Sequence, residues 1–135
     1  MNANELMIND WVRINATRTG EWAYFQVGGY DPNKKSIFIK MKDTEWAYGM
    51  CPKMFYPIPL TAEMLKRNGM NITPYGAYFP GDTEHKCELS QYSDGSIYWT
   101  INTNEYYILP LNHVHELQHA LRLCGLNELA DNWRI

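Results

Sequence analysis

The chain has too few cysteines, and in the wrong pattern, for a cysteine-built scaffold. Cys51, Cys87 and Cys124 are three thiols without a Cys-x-x-Cys pair among 135 residues. That sparse, odd count argues against a disulfide framework or a thiolate zinc knuckle and points to reduced thiols. Charge of one sign is also lacking. Twelve basic against fifteen acidic residues give a net −3, which does not suggest a general nucleic-acid or membrane-surface binder. No apolar run reaches the ~18 residues that a membrane span requires. The first ten residues show no cationic stretch followed by an apolar one, so no signal peptide is expected. The expected location is the cytoplasm.

What the chain does have is rings. Ten Tyr, five Trp and four Phe bring aromatics to 14%, with apolar residues at 45%. That composition excludes intrinsic disorder. A chain this long can bury roughly two-thirds of its unfolded surface, so neither metal nor disulfide is needed to fold it. Charge divides unevenly along the chain. Residues 1–60 carry seven basic and six acidic side chains, whereas 61–135 carry five and nine. The expected organisation is two small lobes, 1–59 and 60–135, forming one compact unit.

The first lobe reads as β-structure. Trp11 to Ile14, Glu21 to Gly28 and Ser36 to Lys42 are predicted strands, the last two with period-two alternation. The run from Gly28 to Asn33 is rich in turn formers. Shorter strands are expected at 46–48 and 54–58. Several short strands around tight turns suggest a small SH3-like or OB-like barrel. In the second lobe, Thr61 is an N-cap signal, Glu63 lies in the first turn, Lys66 and Arg67 in the last, and Asn68-Gly69 is a stop. A β-meander follows, with strands at 86–92, 96–103 and 105–109 around the Asp94-Gly95 hairpin signal. A helix over 113–124 presents Val114, Leu117, Leu121 and Cys124 as its apolar stripe. The fold expectation is α+β: a small barrel, then a helix–meander–helix unit packed against it.

One motif invites a catalytic reading. His115-Glu116-Leu117-Gln118-His119 matches His-Glu-x-x-His on a predicted helix. In zinc hydrolases the two His bind the metal and the Glu activates its water. Helical projection puts His115 and His119 opposite the apolar stripe. Against this, no third ligand is identifiable. Sixteen residues follow His119, the extended motif is absent, and Arg122 falls one turn from His119 on the same face. His113, His85 or an upstream acidic residue could serve as the third ligand, but nothing selects one. The plainer reading is two solvated His on a helix face, with no metal and no cofactor. His85 and Cys87 share a strand face, but a nucleophile pair without an orienting third group has no support; a core Cys is the simpler account.

The stronger constellation is a face. If Ala23, Phe25, Val27, Ile37, Ile39 and Met41 point inward, then Trp22, Tyr24, Phe38, Lys40 and Lys42 share the opposite side of one hairpin. Rings that stack bases beside lysines that hold phosphates are the ingredients of single-strand binding. The favoured reading of the same face is a seam beneath the second lobe, and a third reading is a protein-binding patch, since Tyr and Trp are enriched in interface hot spots.

The segment from Pro57 to Gly69, the block from Val114 to Arg122 and the opening Asn9-Asp10-Trp11-Val12 together resemble uncharacterised short proteins encoded in prophages and mobile elements of gut Bacteroidetes. The resemblance implies a context rather than a mechanism, because that group has no activity to carry over. It also implies that Glu116 and His119 are dispensable, since relatives commonly show Gln and Asn there. The functional expectation is a non-enzymatic binding protein, with a protein partner first, single-stranded nucleic acid as one alternative and a zinc hydrolase as the other.

Overall fold

The structure, a computed structural model, describes residues 1–16, 18–40, 49–82, 87–93, 97–102 and 108–135. Helix and antiparallel sheet are combined in an α+β arrangement, and the chain divides into two compact units, Met1–Ile58 and Pro59–Ile135.

In the first unit, β1 (Trp11–Ala16), β2 (Glu21–Asp31), β3 (Ser36–Lys40) and β4 (Gly49–Met50) form a four-stranded antiparallel meander in sequence order. Alternation decides which residues form its core. Val12, Ile14, Val27, Ile37 and Ile39 are buried on one face with Phe55, and Phe25 and Met50 pack at their edge. Burying side chains of this size contributes roughly 1.5–3 kcal/mol each. Met41 and Lys42 lie outside the described residues. The expected turn at Gly28-Gly29 is instead strand: β2 runs through it to Asp31, with a register shift between Val27 and Gly29. A bulge lets the strand bend without ending. The expected strand at 54–58 is reduced to a single bridge. A 3-10 turn at Pro52–Met54 leads to Tyr56, which exchanges two backbone hydrogen bonds with Arg13 (3.1 and 2.9 Å). No closed barrel is found among the described residues.

The second unit begins with α1 (Ala62–Arg67). The Thr61 hydroxyl accepts from the Met64 N–H at 3.3 Å. At the other end Gly69 adopts φ +86°, and the N–H groups of Gly69 and Met70 donate to Lys66 and Leu65. That is the Schellman stop, which favours a residue without Cβ. A five-stranded antiparallel sheet follows: β5 (Asn71–Thr73), β6 (Gly76–Tyr78), β7 (Glu88–Ser93), β8 (Ile97–Asn102) and β9 (Ile108–Leu111). The β5–β6 hairpin enlarges the expected three-stranded meander. The chain closes with α2 (Val114–Leu123) and α3 (Asn127–Asp131). Asn68 ties the end of α1 to the tail, donating to the Arg134 carbonyl at 2.8 Å and accepting from its N–H at 2.7 Å.

Candidate functional site

The outer face of the first sheet is built by register. Across β1 and β2, Val12 pairs with Phe25 and Ile14 with Ala23, so the residues between them, Arg13 opposite Tyr24 and Asn15 opposite Trp22, turn the other way. The Arg13 guanidinium carbon sits 4.1 Å above the Trp22 ring. Tyr56, placed by its bridge to Arg13, meets Trp22 edge-on at 5.4 Å between centroids. The three groups therefore form one unit, cation over indole with a phenol at its rim. Contacts of these kinds contribute about 0.5–1.5 kcal/mol each. Trp22, Tyr24 and Tyr56 nevertheless stay 36%, 44% and 47% exposed.

The remaining face residues are more dispersed. Lys40 is exposed and its ammonium donates to the Asn9 side chain. Phe38 is half-buried and pairs across β2 with Gly29. Lys42 lies outside the described residues. Arg13 and Tyr56 are the contributors that the sequence reading missed. The alternation Val12-Arg13-Ile14 held a signal for Arg13. Nothing local marked Tyr56, whose position depends on a long-range bridge.

The helix α2 differs from expectation. His115 is 7% exposed, not solvated. The buried surface of the helix is wider than its apolar stripe, since Gln118 is also fully buried and donates from its amide to the Ala130 carbonyl of α3 at 2.8 Å. The His113 and His115 rings stack at 5.7 Å, and His115 meets His119 edge-on at 5.9 Å. Glu116 is occupied as a cap. One of its oxygens accepts from the N–H groups of Asn112 (2.7 Å) and His113 (3.0 Å), and the other faces His113 Nδ1 at 3.2 Å. Burial pushes the Glu116 carboxyl up. The bonds from Asn112 and His113 outweigh that and hold it below the usual carboxylate range. A carboxylate so committed closes the first turn of the helix and is poorly placed to take a proton from water. Arg122 is paired with Asp131 at 3.0 Å. Among the described residues no group of three or more His, Cys, Asp or Glu could hold a metal ion, and His85 lies outside them.

Comparison of the chain with protein-family models, with curated proteins and with solved structures finds no match in any of the three. The residues therefore carry the functional argument by themselves. Among the described residues no helix is long and apolar enough to cross a membrane.

The thiols complete the inventory. Cys87 is buried just before β7, its N–H donates to Asp82 at 2.8 Å, and its thiol is hydrogen-bonded to Cys124. Burial pushes the Cys87 thiol far up, and the neighbouring Cys124 and Asp82 add to it. Burial also raises Cys124, against the hydrogen bond from Cys87. Such thiols stay protonated at neutral pH, and the thiol is not the nucleophilic form.

Proposed function

We propose that the protein acts without catalysis, by binding a protein partner through the outer face of its first sheet. The observation that carries this reading is the Arg13–Trp22–Tyr56 unit with Tyr24 beside it. Trp, Tyr and Arg are the residue types that dominate interface hot spots. Here they stand together, pre-ordered by ring and cation contacts, with their apolar surface open. Covering ~100 Å² of that surface would release about 2.5 kcal/mol. Pre-ordering also lowers the entropy lost on binding. The setting we propose is an accessory role in a phage or mobile element, in the cytoplasm of a bacterial host. An SH3-like or OB-like barrel is part of the same reading. The Tyr56–Arg13 bridge after a 3-10 turn, which returns the chain to β1, and the bulge at Gly28 both support it.

The test is comparative recovery of partners from host cells. Wild-type protein should retain a defined protein that Trp22→Ala with Tyr56→Ala loses, while both fold alike by circular dichroism. Identical recovery by the two proteins contradicts the reading. A second reading has its own support, because Arg13 over an exposed indole and the exposed Lys40 also suit a single nucleic-acid strand. It requires Trp fluorescence to be quenched by single-stranded oligonucleotides at low salt, with affinity falling steeply as salt rises. Indifference to the oligonucleotides removes it.

A further inference from the structure

Strand register also sorts the charges of the first sheet's outer face. Across β1, β2 and β3 its rows are Asn15–Trp22, Arg13–Tyr24 and Trp11–Gln26–Lys40. Among the described residues of these rows the charged side chains, Arg13 and Lys40, are both cations, and no carboxylate is present. Asp31 follows two rows beyond Lys40, and its carboxylate accepts from the N–H groups of Asn33 (2.9 Å) and Lys34 (3.2 Å) in its own turn. A chain of net −3 thus turns a cationic strip outward. Both cations have a defined position. The Arg13 guanidinium is stacked on Trp22, and of its nitrogens only Nε is buried without a partner. No hydrogen bond or ion pair to the terminal nitrogens is found among the described residues. A stacked guanidinium keeps that fork for a carboxylate. The exposed Lys40 ammonium donates to the Asn9 side chain, which uses one of its three protons. Two strand spacings and one two-residue step separate the Cα atoms of Arg13 and Lys40 by about 12 Å. Their side chains lean apart from that line, toward Trp22 and toward Asn9. An extended chain rises ~3.3 Å per residue and repeats its facing every second one, so side chains that meet both cations stand four or more residues apart.

Given the reading that a protein docks on this face, we infer that the partner presents an extended acidic segment. One carboxylate meets the Arg13 fork beside the Trp22 and Tyr56 rings. A second, at least four residues along, meets Lys40, and the stretch between them crosses Tyr24. A nucleic-acid strand fits less well, because it brings a charge at every nucleotide to a face that offers two.

The probe is the end-blocked peptide Phe-Ser-Glu-Thr-Ser-Thr-Glu, titrated into the whole protein at low salt. The indole N–H signal of Trp22, assigned through Trp22→Phe, is followed by NMR. It should shift saturably, with affinity falling as salt rises. A peptide with Gln for both Glu, and one with its two Glu adjacent, should each bind about threefold more weakly or worse. Arg13→Gln should weaken binding about tenfold or more, and Lys40→Gln, at an exposed position, about two- to fivefold. The absence of a saturable shift at millimolar peptide overturns the inference. So does equal affinity for the Gln peptide, or affinity unchanged in both variants. Tighter binding of a thymidine oligonucleotide than of the peptide overturns it in favour of nucleic acid. Partner recovery from host cells separates this failure from that of the face itself. A protein lost by Trp22→Ala with Tyr56→Ala but kept by Arg13→Gln with Lys40→Gln leaves the face standing and removes the acidic partner.

Discussion

The outer face of the first sheet and the helix α2 hold the residues most suggestive of chemistry, and they use them oppositely. On α2 the polar groups are spent within the fold. Glu116 caps its own helix, Gln118 holds α3 and Arg122 is paired with Asp131. On the sheet, Arg13, Trp22 and Tyr56 hold one another in place and leave their rings open. A side chain whose hydrogen bonds are all internal reports on stability. An ordered ring left in water is available to a partner. The His-Glu-x-x-His letters cannot distinguish these cases, because they carry no information about what the carboxylate already accepts.

Substitutions on the two regions should separate accordingly. The largest loss of stability is expected for Gln118→Ala, about 2–3 kcal/mol, since it leaves a cavity and strips the Ala130 carbonyl of its partner. Chemical denaturation would show it, and a loss below about 0.5 kcal/mol would mean that the buried amide bond holds little. Glu116→Ala should cost about 1 kcal/mol, as a lost cap does. Its effect also has a pH signature. The folded carboxyl titrates below the unfolded one, so its contribution is present above the usual carboxylate range and is lost as pH falls through it. The variant should therefore show a flatter acid limb in its stability profile than the wild type, and parallel limbs would deny the cap. Trp22→Ala should cost only about 0.5–1 kcal/mol, the scale of an exposed cation–π contact, while abolishing partner recovery. A cost of several kcal/mol would place Trp22 among structural residues and erase the contrast between the two regions.

The smallest effect concerns the thiols. In native protein at neutral pH, Cys51 should alkylate first and Cys87 last, because Cys87 is buried and its thiol is raised. Since the folded value lies above the unfolded one, the Cys87 contribution is complete below the ordinary thiol range. It declines in alkali as the unfolded thiol ionises. Peptide mapping after graded labelling reads the order directly, and early labelling of Cys87 would contradict its placement.

What could be read in the sequence follows from how local each cause is. The helix α1 was legible because Thr61, Asn68 and Gly69 act within one turn of their own positions. The strands β2 and β3 were legible from alternation alone. The β5–β6 hairpin was not, since strands of three residues are too short to show a period and their pairing is set by the sheet. His115 was misplaced because a stripe of apolar residues understates a buried face when α3 covers polar neighbours such as Gln118. Glu116 as a cap could have been suspected from its spacing of three from His113, but His is a poor N-cap and the metal motif drew the reading. The candidate surface was half legible. Strand period could have turned Arg13 outward, whereas Tyr56 joins Trp22 only through a bridge to β1 from more than forty residues away.

The most direct test of the central claim is site-specific photo-crosslinking in host cells from a reactive analogue placed at Tyr24, which borders the Trp22 unit without belonging to it. The account predicts a discrete protein adduct that disappears when Trp22→Ala and Tyr56→Ala are introduced in the same chain. The absence of any protein adduct, or one unchanged by those two substitutions, would contradict it.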